Sequence, residues 1–164
     1  MFKTKLLILL LINFLFISCI KEDTTRNSLK FKVGYIGGEY DGLVLKNTLN
    51  SYLNAQGIYN ETSQYEIKAK ISHGSNLYIT NTDNTSDRER ITSTLSVIIK
   101  DNQSGCQIYD YNQTISQFYI FAASDLFLSN KKAVKEIKKD NTGELVKEFF
   151  KNLNRTNLNC DAQS

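Results

Sequence analysis

The chain has no proline and no tryptophan, and its one histidine is His73. It also lacks the compact signatures of catalysis. No nucleophile elbow, phosphate loop, CxxC pair or HExxH helix occurs in it. "GYIGGEYDG" has glycines at 34, 37 and 38, but not at GxGxxG spacing, and no Lys-Ser/Thr pair follows. It reads as a strand end followed by a turn. His73 stands beside turn-type residues, and no third group is placed to orient it toward Cys106. The carboxylates are scattered, with no pair set for general acid–base work. The expectation is a protein that is not an enzyme and holds neither cofactor nor metal.

Charge of one sign is also missing once the leader is set aside. Lys3 and Lys5 belong to that leader, and without them 18 of the 20 basic residues stand against 17 acidic ones. Such a balance gives no case for nucleic acid as a partner. No apolar run is long enough to cross a bilayer. Residues 6–17 make a run of about a dozen, whereas a spanning helix needs roughly 20. With the two lysines before it, the run has the flanks of a signal peptide. It ends in "FISC", which resembles the lipobox at which bacterial lipoproteins are cut before an acylated cysteine. Residues 1–18 are therefore expected to be removed and Cys19 to carry the lipid. Ile20 after it differs from the Asp that retains lipoproteins in the inner membrane of enteric bacteria. The expected location is the periplasmic side of the outer membrane.

Residues 19–30 are polar and aperiodic, a tether rather than a folded element. "FKVGYIG" then alternates as a strand. Asp41 is placed to N-cap a helix whose stripe is Leu45, Leu49, Tyr52 and Leu53, closed by Gly57. "QYEIKAKIS" alternates Tyr65, Ile67, Ala69 and Ile71 with Glu66, Lys68 and Lys70. "HGSN" at 73–76 follows as either a tight turn or a bulge within one long strand. A third strand is expected over about 88–100, a hairpin at 101–105 and a fourth strand over about 106–116. Residues from about 118 to 153 have helical spacing, with Asn141-Thr142-Gly143 as a weak point or break. The domain, 31–155, is thus expected to be α+β. It is a two-layer β-α-β-β-β-α sandwich of about four strands with two helices on one face. A polar tail occupies 156–164.

Strand parity gives the open face of that sheet a character. It carries Lys32, Lys68, Lys70, Arg88, Arg90, Thr92, Thr94 and Lys100, against Glu66 and Asp110. Arg grips phosphates or carboxylates bidentately and Lys acts as a point charge. An ordinary solvated sheet face has the same composition. Of the remaining cysteines, Cys106 opens the fourth strand and Cys160 follows the last helix. That helix must return across the sheet, so an oxidising compartment would let the two pair.

The lipobox, short tether, element order and long last helix resemble the lipopolysaccharide-assembly lipoprotein family LptE. "YDGLVLKNTLNSYL" is similar to the family's first helix. "QYEIKAKISHGSNLYIT…DRERITSTLSVIIKD" is similar to its paired strands, and "SQFYIFAASDLFLSNKKAVKEI…LVKEFFKNL" to the approach to its last helix. The resemblance covers nearly all of the mature chain through diffuse apolar patterns. It implies a partner barrel of the LptD type, support for that barrel's assembly, and binding of lipopolysaccharide during its delivery to the cell surface. Arg88 and Arg90, with Lys68 and Lys70 on the neighbouring strand, are the expected ligand contacts. A lipoprotein that activates a periplasmic cell-wall synthase is the rival. Only about a dozen residues precede the first strand, reaching ~3.3–3.6 Å each, which favours work close to the membrane.

Overall fold

A computed structural model describes residues 29–79, 86–120, 127–156, 158 and 160. The leader, Cys19 and most of the tether lie outside the described residues, as do 80–85, 121–126 and the last four residues. The elements are β1 (Phe31–Gly37), α1 (Glu39–Ala55), β2 (Tyr65–Ile79), β3 (Ser86–Asp101), β4 (Gln107–Ile120) and α2 (Phe127–Leu153). The four strands form one sheet in chain order. β1 and β2 run parallel, with α1 as the crossover that a parallel pair requires. β2, β3 and β4 form an antiparallel meander.

The α+β, two-layer reading holds, with both helices contributing to one core against the same sheet face. Alternation in the strands dictates that face. Across β2, β3 and β4 the inward rows are Ile67–Ile99–Tyr109, Ala69–Val97–Tyr111 and Ile71–Leu95–Gln113. Leu45, Leu49 and Leu53 of α1 meet these rows, together with Leu145, Phe149 and Leu153 of α2, all buried. Tyr52 and Phe150 stack between the two helices at 4.3 Å. Behind them Phe149 meets Tyr111 edge-on at 5.5 Å.

Four local expectations change. "HGSN" makes no turn, because His73, Gly74, Ser75 and Asn76 pair in unbroken register with Ser93, Thr92, Ile91 and Arg90. A full ladder on β3 outweighs the turn preference of Gly-Ser-Asn. Phe118, Tyr119 and Ile120 are strand rather than helix, paired with Arg90, Glu89 and Arg88. Asp41 lies in the first turn of α1, while the N-cap is Gly38 at φ 118. A side chain at Gly38 would put Cβ 2.7 Å from the Ile71 carbonyl oxygen, so this turn needs both the glycine's freedom and its size. Finally, α2 does not break at 141–143. Asn141 is buried and donates to Ser93 Oγ at 2.9 Å, and Thr142 Oγ1 donates to the Lys138 carbonyl at 2.8 Å. Tertiary contact overrides weak helix propensity there.

β1 pairs only as far as Gly37 opposite Lys70. From Ile71 to Ile79, β2 continues with β3 and β4 as a three-stranded arm, roughly 30 Å long at strand rise. At the other end of the sheet, Cys106 and Cys160 are joined in a disulfide with Cα atoms 6.0 Å apart. This pins the tail, and Leu158 packs against the core beside it.

Gly143 sits inside α2 with ordinary negative φ and nothing within 4 Å of where a Cβ would be. Gly143→Ala is expected to stabilise the fold by about 0.5–1 kcal/mol. Urea unfolding would show it as a higher midpoint, and an unchanged or lower midpoint would mean the helix is strained at this position.

Candidate functional site

The outward sheet face is built by the same register. Its rows across β2, β3 and β4 run from Tyr78–Arg88–Ile120 at the arm's tip, through Asn76–Arg90–Phe118, to Lys70–Ser96–Asn112 and Lys68–Ile98–Asp110. Arg88, Arg90, Lys68 and Lys70 therefore do share one face. They do not form one cluster. Six residues of β3 separate the row of Arg90 from that of Lys70, or roughly 20 Å.

The two ends also differ in chemistry. Lys68 pairs with Glu66 at 3.7 Å. The strip between the ends is neutral and self-satisfied: Thr92 and Ser116 hydroxyls meet at 2.9 Å, Thr94 and Thr114 at 2.8 Å, and the Asn112 amide donates to Ser96 at 3.1 Å. At the tip, the Arg90 guanidinium carbon lies 5.0 Å from the Phe118 ring centre and 5.5 Å from that of Tyr78. The two rings meet edge-on at 5.6 Å. Arg90 thus packs against both aromatic rings, with its Nε buried and without a hydrogen-bond partner among the described residues. Arg88 is exposed two residues before it on the same strand. Phe118 (52% exposed) and Ile120 (82%) border the pair. Two arginines whose Cα positions are about 7 Å apart along a strand, bordered by exposed apolar side chains, suit a ligand that is anionic at one point and greasy beside it. Sequence parity found the two arginines. It missed the aromatic contacts, because residues 118–120 read as helix.

The inward face of the arm holds polar groups that sequence reasoning did not single out. Glu89 is buried there and accepts from the Tyr119 hydroxyl at 2.5 Å. Burial, and after it the Glu89 carboxylate, push the Tyr119 phenol far above its usual range. Beside this pair opens a groove of about 590 Å³ between the arm and the two helix starts, bordered by Tyr40, Asn130, Lys131 and Lys135. The available signal was parity, since Glu89 is two residues from the buried Ile91.

His73 also points inward. Its Nδ1 lies 2.7 Å from Ser93 Oγ, which also accepts from Asn141. Ser93 is fully buried, so this cluster bridges the sheet to α2 rather than facing a substrate. Cys106 is held by Cys160 and lies roughly 30 Å along β4 from the row of His73. Among the described residues no group of His, Cys, Asp or Glu is placed to hold a metal ion.

No protein-family model matches the chain, and no curated protein matches it in sequence. Solved structures do share its fold. Rare lipoprotein B from Shewanella oneidensis superposes with a TM-score of 0.59 at 8% identity, over 76% of this chain and 94% of that one. A minor lipoprotein from Acinetobacter baumannii gives 0.53 at 16% identity, covering 73% and 86%. Lipoprotein B from Nitrosomonas europaea gives 0.53 at 12% identity, covering 74% and 79%.

His73 yields a pH prediction. Burial lowers its pKa; the nearby Asp41 carboxylate opposes that, and Lys138 adds to it. The folded state thus resists a proton that the unfolded chain accepts at about pH 6.5. The sign follows: the stability contribution is complete above that pH and is lost as pH falls through it toward the lower folded value. Urea midpoints taken between about pH 7.5 and 5.5 should fall in the native protein, and His73→Asn should flatten the slope. Identical slopes would show that His73 does not carry the effect.

Proposed function

We propose that this chain is an outer-membrane lipoprotein of the LptE type, anchored on its periplasmic side through acyl chains on Cys19. In this reading it partners an LptD-like barrel, supports that barrel's assembly and contacts lipopolysaccharide as it passes to the cell surface. The observation that carries the reading is the tip of the arm. Arg88 and Arg90 stand on one strand beside exposed Phe118 and Ile120, a pairing of cation and apolar surface that matches a phosphorylated, acylated glycolipid. The fold shared with rare lipoprotein B is in keeping with a lipoprotein of this type. Lys68 and Lys70, expected as further contacts, stand too far along the sheet to grip the same phosphate as the arginines.

Arg88→Glu with Arg90→Glu should weaken lipopolysaccharide binding by about tenfold or more, the scale of losing charge-assisted hydrogen bonds. Far-UV circular dichroism would verify that the domain stays folded. Unchanged binding by the folded variant removes the tip from the reading. Mild detergent extraction should bring the protein out with a large outer-membrane barrel, and its recovery with a cell-wall synthase instead would replace this function.

A further inference from the structure

The helix layer is shorter than the sheet it covers. β1 ends at Gly37 opposite Lys70, and α1 starts at Glu39. β2 runs on to Ile79, and on the inward face of this extension Ser75 and Leu77 are exposed. α2 packs on β3 and β4. The groove of about 590 Å³ beside Glu89 is the space that this mismatch leaves. Its volume falls in the range of small-molecule sites.

Charge in the groove is layered. Glu89, only 8% exposed, is its innermost ionisable group. An ionised carboxylate has about four lone-pair sites, and the Tyr119 hydroxyl donates to one of its oxygens. Among the described residues no Lys, Arg or His nitrogen lies within ion-pair distance of Glu89. Buried carboxylates are normally given such a partner. The cations stand at the rim instead. Lys138 is 4.0 Å from Asp41 and so ties the two helix starts together. Lys135 lies 5.5 Å over the Tyr40 ring, and Lys131, one turn before it, is exposed. Tyr40 and Val134 supply apolar wall between rim and floor.

We infer that this groove binds the phosphoethanolamine headgroup of an amphiphile. The ammonium sits on Glu89, the phosphate meets Lys131 and Lys135, and the chain leaves along Tyr40 and Val134. Charge complementarity selects this occupant. A simple cation would have to pass the lysines, and a simple anion would meet the Glu89 carboxylate. A neutral apolar molecule would shut the carboxylate away from water without a partner. A zwitterion with its ammonium innermost satisfies both layers. A primary ammonium has three N–H donors for the carboxylate lone pairs that Tyr119 does not use. A quaternary ammonium has none. The groove is on the opposite face of the sheet from Arg88 and Arg90, so the inference does not rest on the lipopolysaccharide reading.

The test uses the mature chain, residues 19–164, with Cys19→Ser so that no acyl chain of its own competes. Calorimetric titration with lysophosphatidylethanolamine, below its micelle concentration, should show binding at one site. Lysophosphatidylcholine should bind about tenfold more weakly, the scale of losing charge-assisted hydrogen bonds. Glycerophosphoethanolamine, which has the headgroup without the chain, should also be weaker by about tenfold or more. Glu89→Gln keeps an acceptor for Tyr119 and should erase the preference between the two lysolipids, with the urea midpoint verifying the fold. Lys131→Glu, at an exposed site, should weaken both lysolipids alike. Equal affinity of the unmutated groove for the two lysolipids would overturn the inference, and so would a preference that survives Glu89→Gln. Glycerophosphoethanolamine binding as tightly as its lysolipid would overturn it too, by assigning the groove to a soluble zwitterion.

Discussion

Everything in this molecule depends on the register between β2 and β3. Side chains alternate along a strand, so a slip of one residue exchanges the two faces of the strand that slips. Here a slip of β2 would turn Lys68 and Lys70 toward the helix layer and expose Ile67, Ala69 and Ile71. Burying unpaired charge costs far more than any local contact could return. The inward rows, the open cationic face and the position of both helices follow from that one choice. Its strength comes from length: β2 has 15 residues and pairs along all of them.

The same alternation explains what could be read from the residues alone. Ile67, Ala69, Ile71, Leu95, Val97 and Ile99 announce their face by period, as do Leu45, Leu49 and Leu53 of the first helix. The element order and the one-sided helix layer follow from them. The arm is where local reading failed. His73-Gly74-Ser75-Asn76 has turn chemistry, and Phe118 to Ile120 adjoins a helical segment. Each becomes strand because the facing strand continues, a fact no short window contains. Asn141 is a similar case. Its poor helix propensity is visible, whereas its partner Ser93 is 48 residues away.

The candidate site was legible in part for the same reason. Parity puts Arg88, Arg90, Lys68 and Lys70 on one face but says nothing of distance along it. Strand rise then separates arginines from lysines, and the neutral Thr–Ser–Asn strip between them carries no charge to bridge the gap. Arg90 gains its distinct character from Tyr78 and Phe118, which come from two other strands. A planar guanidinium packed against two aromatic rings is held in place before any ligand arrives, whereas a lysine on an open sheet would have to be ordered by binding.

Strand length also acts as a ruler. The domain's entry at Phe31 pairs beside Tyr65, and the disulfide closes the same end of the sheet, while Arg88 stands at the far end of β3. The chain is therefore fastened at one pole and chemically distinctive at the other, some 40 Å apart by strand rise. A fully extended tether over residues 19–30 would reach about the same distance. For a domain leashed at Cys19, the tip's height above the bilayer is then set by how far the domain leans rather than by any change in its shape. With such an anchor, the tip's reach would be the tether's length added to that of the sheet.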